Sequence, residues 1–418
     1  MRRRTALGAL GGVLGTAGCL RLDSSEGATA TDGETATAGA ATTTRADATA
    51  TDEETTADGS TTDESNGGSV VDASGSVPSH SYDPANTGFA DVTGPTSKPE
   101  VAWETSVASG DDPRLIVGMP TLVDGTLFTS TREGLAAVAA GSGEVRWRGS
   151  AGQAGTPTVA NDRVFAGGYG ATAAYVAESG DGVWSRDWRT NGVTVAGGLA
   201  FVASGDGLRA VDPASGSVAW EALAGISVGS APAVGDGRVY VGTREGSVRA
   251  FDEASGIERW RVDVEGEYGY FIASPTYVDG VVYASSENKT CYAIDAASGS
   301  VLWEYSATGG MNPTQAVADG TVYVGHDGRA VEALDAETGD VQWTGDANTG
   351  PITVALTVDR NQVYAMDDAG LLVAYERDTG DVAWQYGVSR SPSRSAPAVV
   401  DGRVFVGGGG GRLYALTA

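Results

Sequence analysis

The chain is almost without lysine. Of its 27 basic residues only Lys98 and Lys289 are lysine, and they stand against 54 acidic residues, for a formal net charge of −27. Such a charge repels nucleic acid, and no basic patch interleaved with aromatics reverses it. It is the composition of a globular protein solvated in high salt, as in halophiles, or of an acidic secreted protein. Histidine is equally scarce. His80 and His326 lie far apart, and with so few thiols they cannot build the usual zinc or haem sites. His326, in Gly325-His326-Asp327-Gly328, reads as a solvated turn residue. The only cysteines are Cys19 and Cys291, so the fold does not depend on disulfides. No apolar run is long enough to span a bilayer. No helical periodicity is present, and no Gly-x-Ser-x-Gly elbow falls at a strand-to-helix junction.

What the chain has is repetition. Asp252 to Trp260, Asp-Glu-Ala-Ser-Gly-Ile-Glu-Arg-Trp, sets the pattern Asp-x-x-Ser/Thr-Gly-x-x-x-Trp. It recurs in full at Asp212/Gly216/Trp220, Asp295/Gly299/Trp303 and Asp335/Gly339/Trp343, and with Glu376 as the acid at Gly380/Trp384. Gly143/Trp147 and Gly180/Trp184 keep the pattern without the acid. Aspartate starts such a turn through its own side chain, glycine supplies the positive φ that closes it, and the tryptophan on the next strand has a large apolar body to bury. Upstream lies a second hairpin signal, Asp-Gly, clearest at Asp236 and recurring at Asp124, Asp279, Asp319 and Asp401. A second glycine-bearing turn then leads to a third strand. Each unit is therefore four short antiparallel strands.

The tryptophans Trp103, Trp147, Trp184, Trp220, Trp260, Trp303, Trp343 and Trp384 are spaced by 36 to 44 residues. Four strands per such period is the signature of a propeller blade. The expected fold is all-β, an eight-bladed β-propeller of four-stranded antiparallel blades. The last unit stops one strand short, and the strand around Trp103 has nothing before it. Pairing the two closes the ring and covers both edges. Two first turns break the local rule, at Asn161-Asp162 and at Asp359-Arg360-Asn361, as drift or as loops recruited to another task.

The repeat resembles the pyrroloquinoline-quinone (PQQ) repeat over roughly Ser79 to Ala418. The segment Tyr82-Asp83-Pro84-Ala85-Asn86-Thr87-Gly88 is similar to the lead-in of such propellers. That family includes eight-bladed quinoprotein dehydrogenases and the non-enzymatic outer-membrane-assembly lipoprotein BamB. The enzymes carry an adjacent cysteine pair, a calcium site and a catalytic aspartate in inserted segments. This chain has no such pair and little room for insertions, so the resemblance implies a shape rather than an activity, and no cofactor or metal is expected.

Before the ring, residues 1–19 read as a twin-arginine type export signal. Arg2, Arg3 and Arg4 precede a weakly apolar core from Ala6 to Gly18, and Thr16-Ala17-Gly18-Cys19 reads as a lipobox leaving Cys19 as the lipid-bearing first residue. Residues 20–76, rich in Thr, Ala and acids, cannot form a core and read as a tether. Residues 77–418 form the propeller domain. The expected location is the extracytoplasmic side of the cell membrane, through a lipid anchor.

The candidate sites are loops. Those joining the fourth strand of one blade to the first of the next share one face with the second turns. The longest are Ser106 to Gly118, Val264 to Ala273 and Ser306 to Pro313. Tyr268, Tyr270 and Phe271 make either a partner-contact patch or a strut packed on the ring. Arg390 and Arg394, ahead of the last blade, suit a carboxylate or phosphate, or neutralise nearby acids. Asn288-Lys289-Thr290 is a glycosylation sequon. The reading is a monomeric, non-catalytic propeller that binds a protein or a cell-surface polymer. The alternatives are a quinone-binding redox protein and a polysaccharide-active enzyme.

Overall fold

The computed structural model describes residues 76–108, 116–131, 134–150, 155–168, 170–264, 269–345, 349–388 and 395–418. They form eight four-stranded antiparallel sheets with no helix among them, arranged as the blades of a ring. Seven blades are contiguous in sequence. Blade 8 takes its inner three strands from the C-terminus, ending in Arg412–Thr417, and its outermost strand from Glu100–Ser106, paired antiparallel with Trp103 opposite Ala415. The first strands of neighbouring blades contact one another about the axis.

The tryptophan repeat is an interblade bolt. Each indole lies across its sheet from an alanine on the third strand, as Trp260 from Ala250 and Trp303 from Ala293. The small alanine leaves room for the aromatic ring of the second strand, so Tyr240 sits 5.9 Å from Trp260 and Phe201 5.9 Å from Trp220. The indole N–H then crosses to the next blade. Trp260 donates to Ala296 O at 2.9 Å and Trp220 to Glu253 O at 2.9 Å. The turn glycine of that next blade lies flat on the indole. A Cβ on Gly256 would stand 2.5 Å from Trp220, and one on Gly299 2.8 Å from Trp260, both at φ near +70 to +77°. Glycine is thus required twice, for its backbone angle and for the close approach. The aspartate holds the turn: Asp212 Oδ1 accepts from Ala214 N, Ser215 N and Ser215 Oγ.

Residues 77–94 are not a simple lead-in. They run across the ring at the end of the channel that carries the Asp-Gly hairpins. The backbone N–H two residues before the first turn is the equivalent position in every blade, and seven of the eight blades offer it to this segment. Val77 pairs with Leu122, and Pro78 O accepts from Val159 N at 2.7 Å. Pro84 O accepts from Val234 N, Ala85 O from Tyr277 N, Thr87 O from Val317 N and Gly88 O from Val358 N, at 2.7 to 2.9 Å. In blade 8 the Tyr82 hydroxyl accepts from Val399 N and donates to Val399 O.

This explains one turn that breaks the local rule. In blade 7 Asp359 is fully buried, and its carboxylate accepts from Asn361 N, Gln362 N, Gly94 N and the Tyr364 hydroxyl, at 2.6 to 2.8 Å. Arg360 N donates to Val92 O at 3.1 Å, and Arg360 Nε to Asp91 Oδ1 at 2.8 Å. The turn has been recruited to grip the segment as it leaves the ring. Pro95 O then accepts the Trp384 indole N–H at 2.7 Å, completing the circle of bolts. In blade 2, Asn161 and Asp162 adopt the positive φ values (50 and 58°) that the glycine-bearing turns use elsewhere.

Candidate functional site

The face opposite the hairpins carries the interblade loops and the second turns. Tyr270 is 42% exposed, with its carbonyl accepting from Glu287 N at 3.0 Å. Phe271, next to it, is 1% exposed. Its N–H donates to Thr243 O, and its ring lies 6.0 Å from Tyr292 in the core between blades 4 and 5. A Cβ on Gly242 would stand 2.5 Å from Phe271 Cβ. The expected aromatic patch therefore divides: Phe271 is an anchor that fixes the loop, which corrects its place in a contact surface, and Tyr270 is the part offered to solvent. Tyr268, Arg390 and Arg394 lie outside the described residues, as do Arg2, Arg3, Arg4 and Cys19.

On this face the second turns of three successive blades each expose a cation: Arg244 in blade 4, Lys289 in blade 5 and Arg329 in blade 6. On a chain of charge −27 this is a local departure from the average. Acids accompany each cation, at Glu245, Glu287 and Asp327, so the patch is mixed rather than basic. The turns differ in sequence, which hid the three cations from any motif search. Lys289 Nζ donates to Thr308 O at 3.3 Å, which ties the turn to the next interblade loop. Asn288 is half-buried, with Nδ2 donating to the Tyr292 hydroxyl and Oδ1 accepting from Thr290 N, both at 3.1 Å. A glycan there would require the loss of the first of these bonds.

His326, expected as a solvated turn residue, is 1% exposed. Gly328 has no Cβ, and one built there would stand 2.5 Å from His326 Nδ1, so the imidazole tucks under its own turn. Its Nε2 lies 3.5 Å from Glu332 Oε2, and the Tyr305 hydroxyl donates to that oxygen at 2.6 Å. Burial alone raises a carboxyl, but the contacts from His326 and Tyr305 outweigh it and leave Glu332 below its ordinary range. Burial first, and then the Glu332 acceptor, push the Tyr305 hydroxyl up. The cluster joins the outer strand of blade 5 to the third strand of blade 6. Because the folded Glu332 carboxyl sits below its unfolded value, its contribution is present above that value and is lost as pH falls through the folded one. Thermal melts between pH 5.5 and 3.5 are expected to show the parent losing more stability than Glu332→Gln. Parallel curves would remove Glu332 from the acid response.

Cys291 is fully buried beside Ser285, and burial pushes its thiol up to about 12. Such a thiol is inert. A maleimide is expected to label Cys291 only above the denaturant midpoint, and labelling of the native protein would contradict this packing. Among the described residues no group of three metal-ligating side chains is gathered. A cavity of about 690 Å3 opens between blades 1 and 2 at the hairpin face, where Ser76, Pro78, Arg146, Asn161 and Glu178 line the entry of the chain into the ring.

The family model described as outer membrane protein assembly factor BamB matches residues 170–276 and 244–418. The outer membrane protein assembly factor BamB of Moranella endobia is 35% identical over 127 residues, which cover 27% of this chain and 33% of that protein. The matched stretch is thus about a third of that relative's length. Among solved structures, BamB from Moraxella catarrhalis superposes with a TM-score of 0.61 at 15% identity, over 77% of this chain and all of the other. Quinohemoprotein alcohol dehydrogenase from Comamonas testosteroni superposes with a TM-score of 0.67 at 15% identity, over 82% of this chain and 80% of the other. At such identities the two superpositions speak for the ring alone.

Proposed function

Since this chain belongs to the family of the outer membrane protein assembly factor BamB, we propose that its ring is a non-catalytic protein-binding module held on the extracytoplasmic side of a membrane. The partner docks on the loop face over blades 4 to 6. The observation that carries this is the exposed Tyr270, next in sequence to the buried Phe271, on the face where the second turns of blades 4 to 6 expose Arg244, Lys289 and Arg329. An aromatic fixed on a rigid support, on a face that carries cations, is the chemistry of an interface anchor. It suits a protein surface that offers carboxylates and an apolar pocket. Cys19 is the proposed lipid attachment point, Arg2, Arg3 and Arg4 the export signal, and residues 20–76 the tether that gives the ring its reach. An acidic, lysine-poor surface suits a saline exterior.

The inner strands favour this reading over a site for a quinone that bears carboxylates, because they offer such a ligand no cation. No arginine or lysine occurs in any of the eight inner strands or in residues 76–90. The one described imidazole there, His80, is lowered to about 4 by burial, and its Nε2 lies 3.3 Å from Thr314 Oγ1. It is neutral at neutral pH and offers an acid no charge.

The test is capture. The native lipoprotein crosslinked on its own membrane defines the partner band. Tyr270→Ala combined with Arg244→Glu is expected to reduce that band tenfold or more, with the unfolding midpoint unchanged. Full capture by the folded double variant would clear this face.

A further inference from the structure

We infer that the hairpin-face mouth of the channel is a sequence-selective peptide site, and that residues 77–94 are its ligand in cis, held as a plug. The site reads side chains as well as backbone. The Asn86 amide Nδ2 is buried and donates to Pro232 O and Pro275 O, both at 3.1 Å, bridging the loops that lead into blades 4 and 5. Asn86 O accepts from Thr276 Oγ1 at 3.0 Å. Tyr82 spends its hydroxyl on both backbone groups of Val399. Gly88 lies against Ala316 and Leu356 O, where a Cβ would stand 2.8 Å from Ala316 Cβ, and its φ is +70°. Asp83 pre-forms the bend, with its carboxylate accepting from Thr87 N at 3.1 Å. Ser81, Tyr82 and Asn86 all hold positive φ, a strained path for non-glycine residues that the surrounding contacts must over-determine.

A chain that merely passed from tether to blade 8 would need none of this. Tyr82 is fitted to blade 8, Asn86 to blades 4 and 5 and Gly88 to blades 6 and 7, and the inner-strand N–H groups of seven blades converge on the one segment. The inner strands at this mouth therefore form a crown of backbone donors that recognises a Tyr-Asp-x-x-Asn-Thr-Gly peptide folded through its own turns. The consequence for the ring is that its channel is closed from the hairpin face, and a ligand reaches the axis only from the loop face.

The experiment weakens the cis ligand and offers it back in trans. In the propeller carrying Asn86→Ala and Tyr82→Phe, amide exchange at Val234, Tyr277, Val317, Val358 and Val399 is expected to speed up tenfold or more, while amides of the outer strands keep the parent rates. A fluorescent synthetic peptide of residues 76–94 is expected to bind this variant saturably and to restore slow exchange. The parent, with its site already filled, is expected not to bind it, and a scrambled peptide is expected to bind neither. Unchanged exchange in the variant, failure of the peptide to bind the loosened variant, or equal binding by the parent or of the scrambled sequence would overturn the assignment. If the double variant does not fold, Tyr82→Phe alone, which removes one hydroxyl, is read in the same way.

Discussion

Trp260→Ala is expected to destabilise the ring by about 3–5 kcal/mol, the range for removing a buried large aromatic. The substitution removes four things at once. It empties the space over Ala250, strips Tyr240 of its partner at 5.9 Å, withdraws the donor from Ala296 O and takes the floor from under Gly299. The last two contacts belong to the next blade, so the loss falls on the junction between blades 4 and 5 as well as on blade 4. Trp260→Phe keeps most of the packing and drops the N–H. Ala296 O still accepts from Arg238, so this change is expected to cost about 1 kcal/mol. Equilibrium denaturation checks both. An alanine variant within about 1 kcal/mol of the parent would mean that the indole is not a bolt.

Asp359→Ala is the second large effect. The carboxylate is fully buried and serves three backbone N–H groups and the Tyr364 hydroxyl. Alanine leaves the three N–H groups without this acceptor, while the Tyr364 hydroxyl still reaches Gln362 Oε1 at 2.9 Å, and each buried unpaired donor costs roughly 1–3 kcal/mol before relaxation. A loss of about 3 kcal/mol or more is expected. Amide exchange should also rise at Gly94 and Gln362 well before it rises in blade 3, which has no contact with Asp359. Asp359→Asn keeps one acceptor oxygen and is expected to fall between parent and alanine. A uniform rise across the ring, or an alanine variant as stable as the parent, would contradict the role of this turn as the grip on residues 91–94.

The blades were legible in the sequence because their turns are chemically explicit. Asp-x-x-Ser/Thr-Gly and Asp-Gly demand particular backbone angles, and a tryptophan every 36 to 44 residues marks the outer strands. Ring closure through the strand around Trp103 followed from counting. What the tryptophan touches was not legible. Its alanine partner, at Ala250 or Ala293, is one of many alanines, and the aromatic above it varies between Phe and Tyr. The bolt to the next blade is a long-range contact with no local signature.

The plug was missed for a related reason. Tyr82 to Gly88 showed as a motif, but its partners are backbone groups scattered over five blades, which no spacing encodes. Asp359 showed only as a broken rule. On the candidate site, the residue pattern Tyr270-Phe271 left open which ring faces solvent. That is decided by Gly242 and the space it leaves for Phe271. His326 misled for the opposite reason, since glycines on either side suggested an open turn, and Gly328 in fact makes room for the imidazole to fold beneath it.

The central claim is that the loop face over blades 4 to 6 is where this ring meets a protein. Photo-crosslinking in the native membrane tests it most directly, with the reactive side chain placed in turn at Tyr270, at Val218 on the rim and at Gly237 in a hairpin. Val218 is 44% exposed and serves as a control for mere exposure. A discrete protein adduct from position 270, with none from 218 or 237, is the result expected. Adducts from the rim or the hairpin face and none from position 270 would contradict the account.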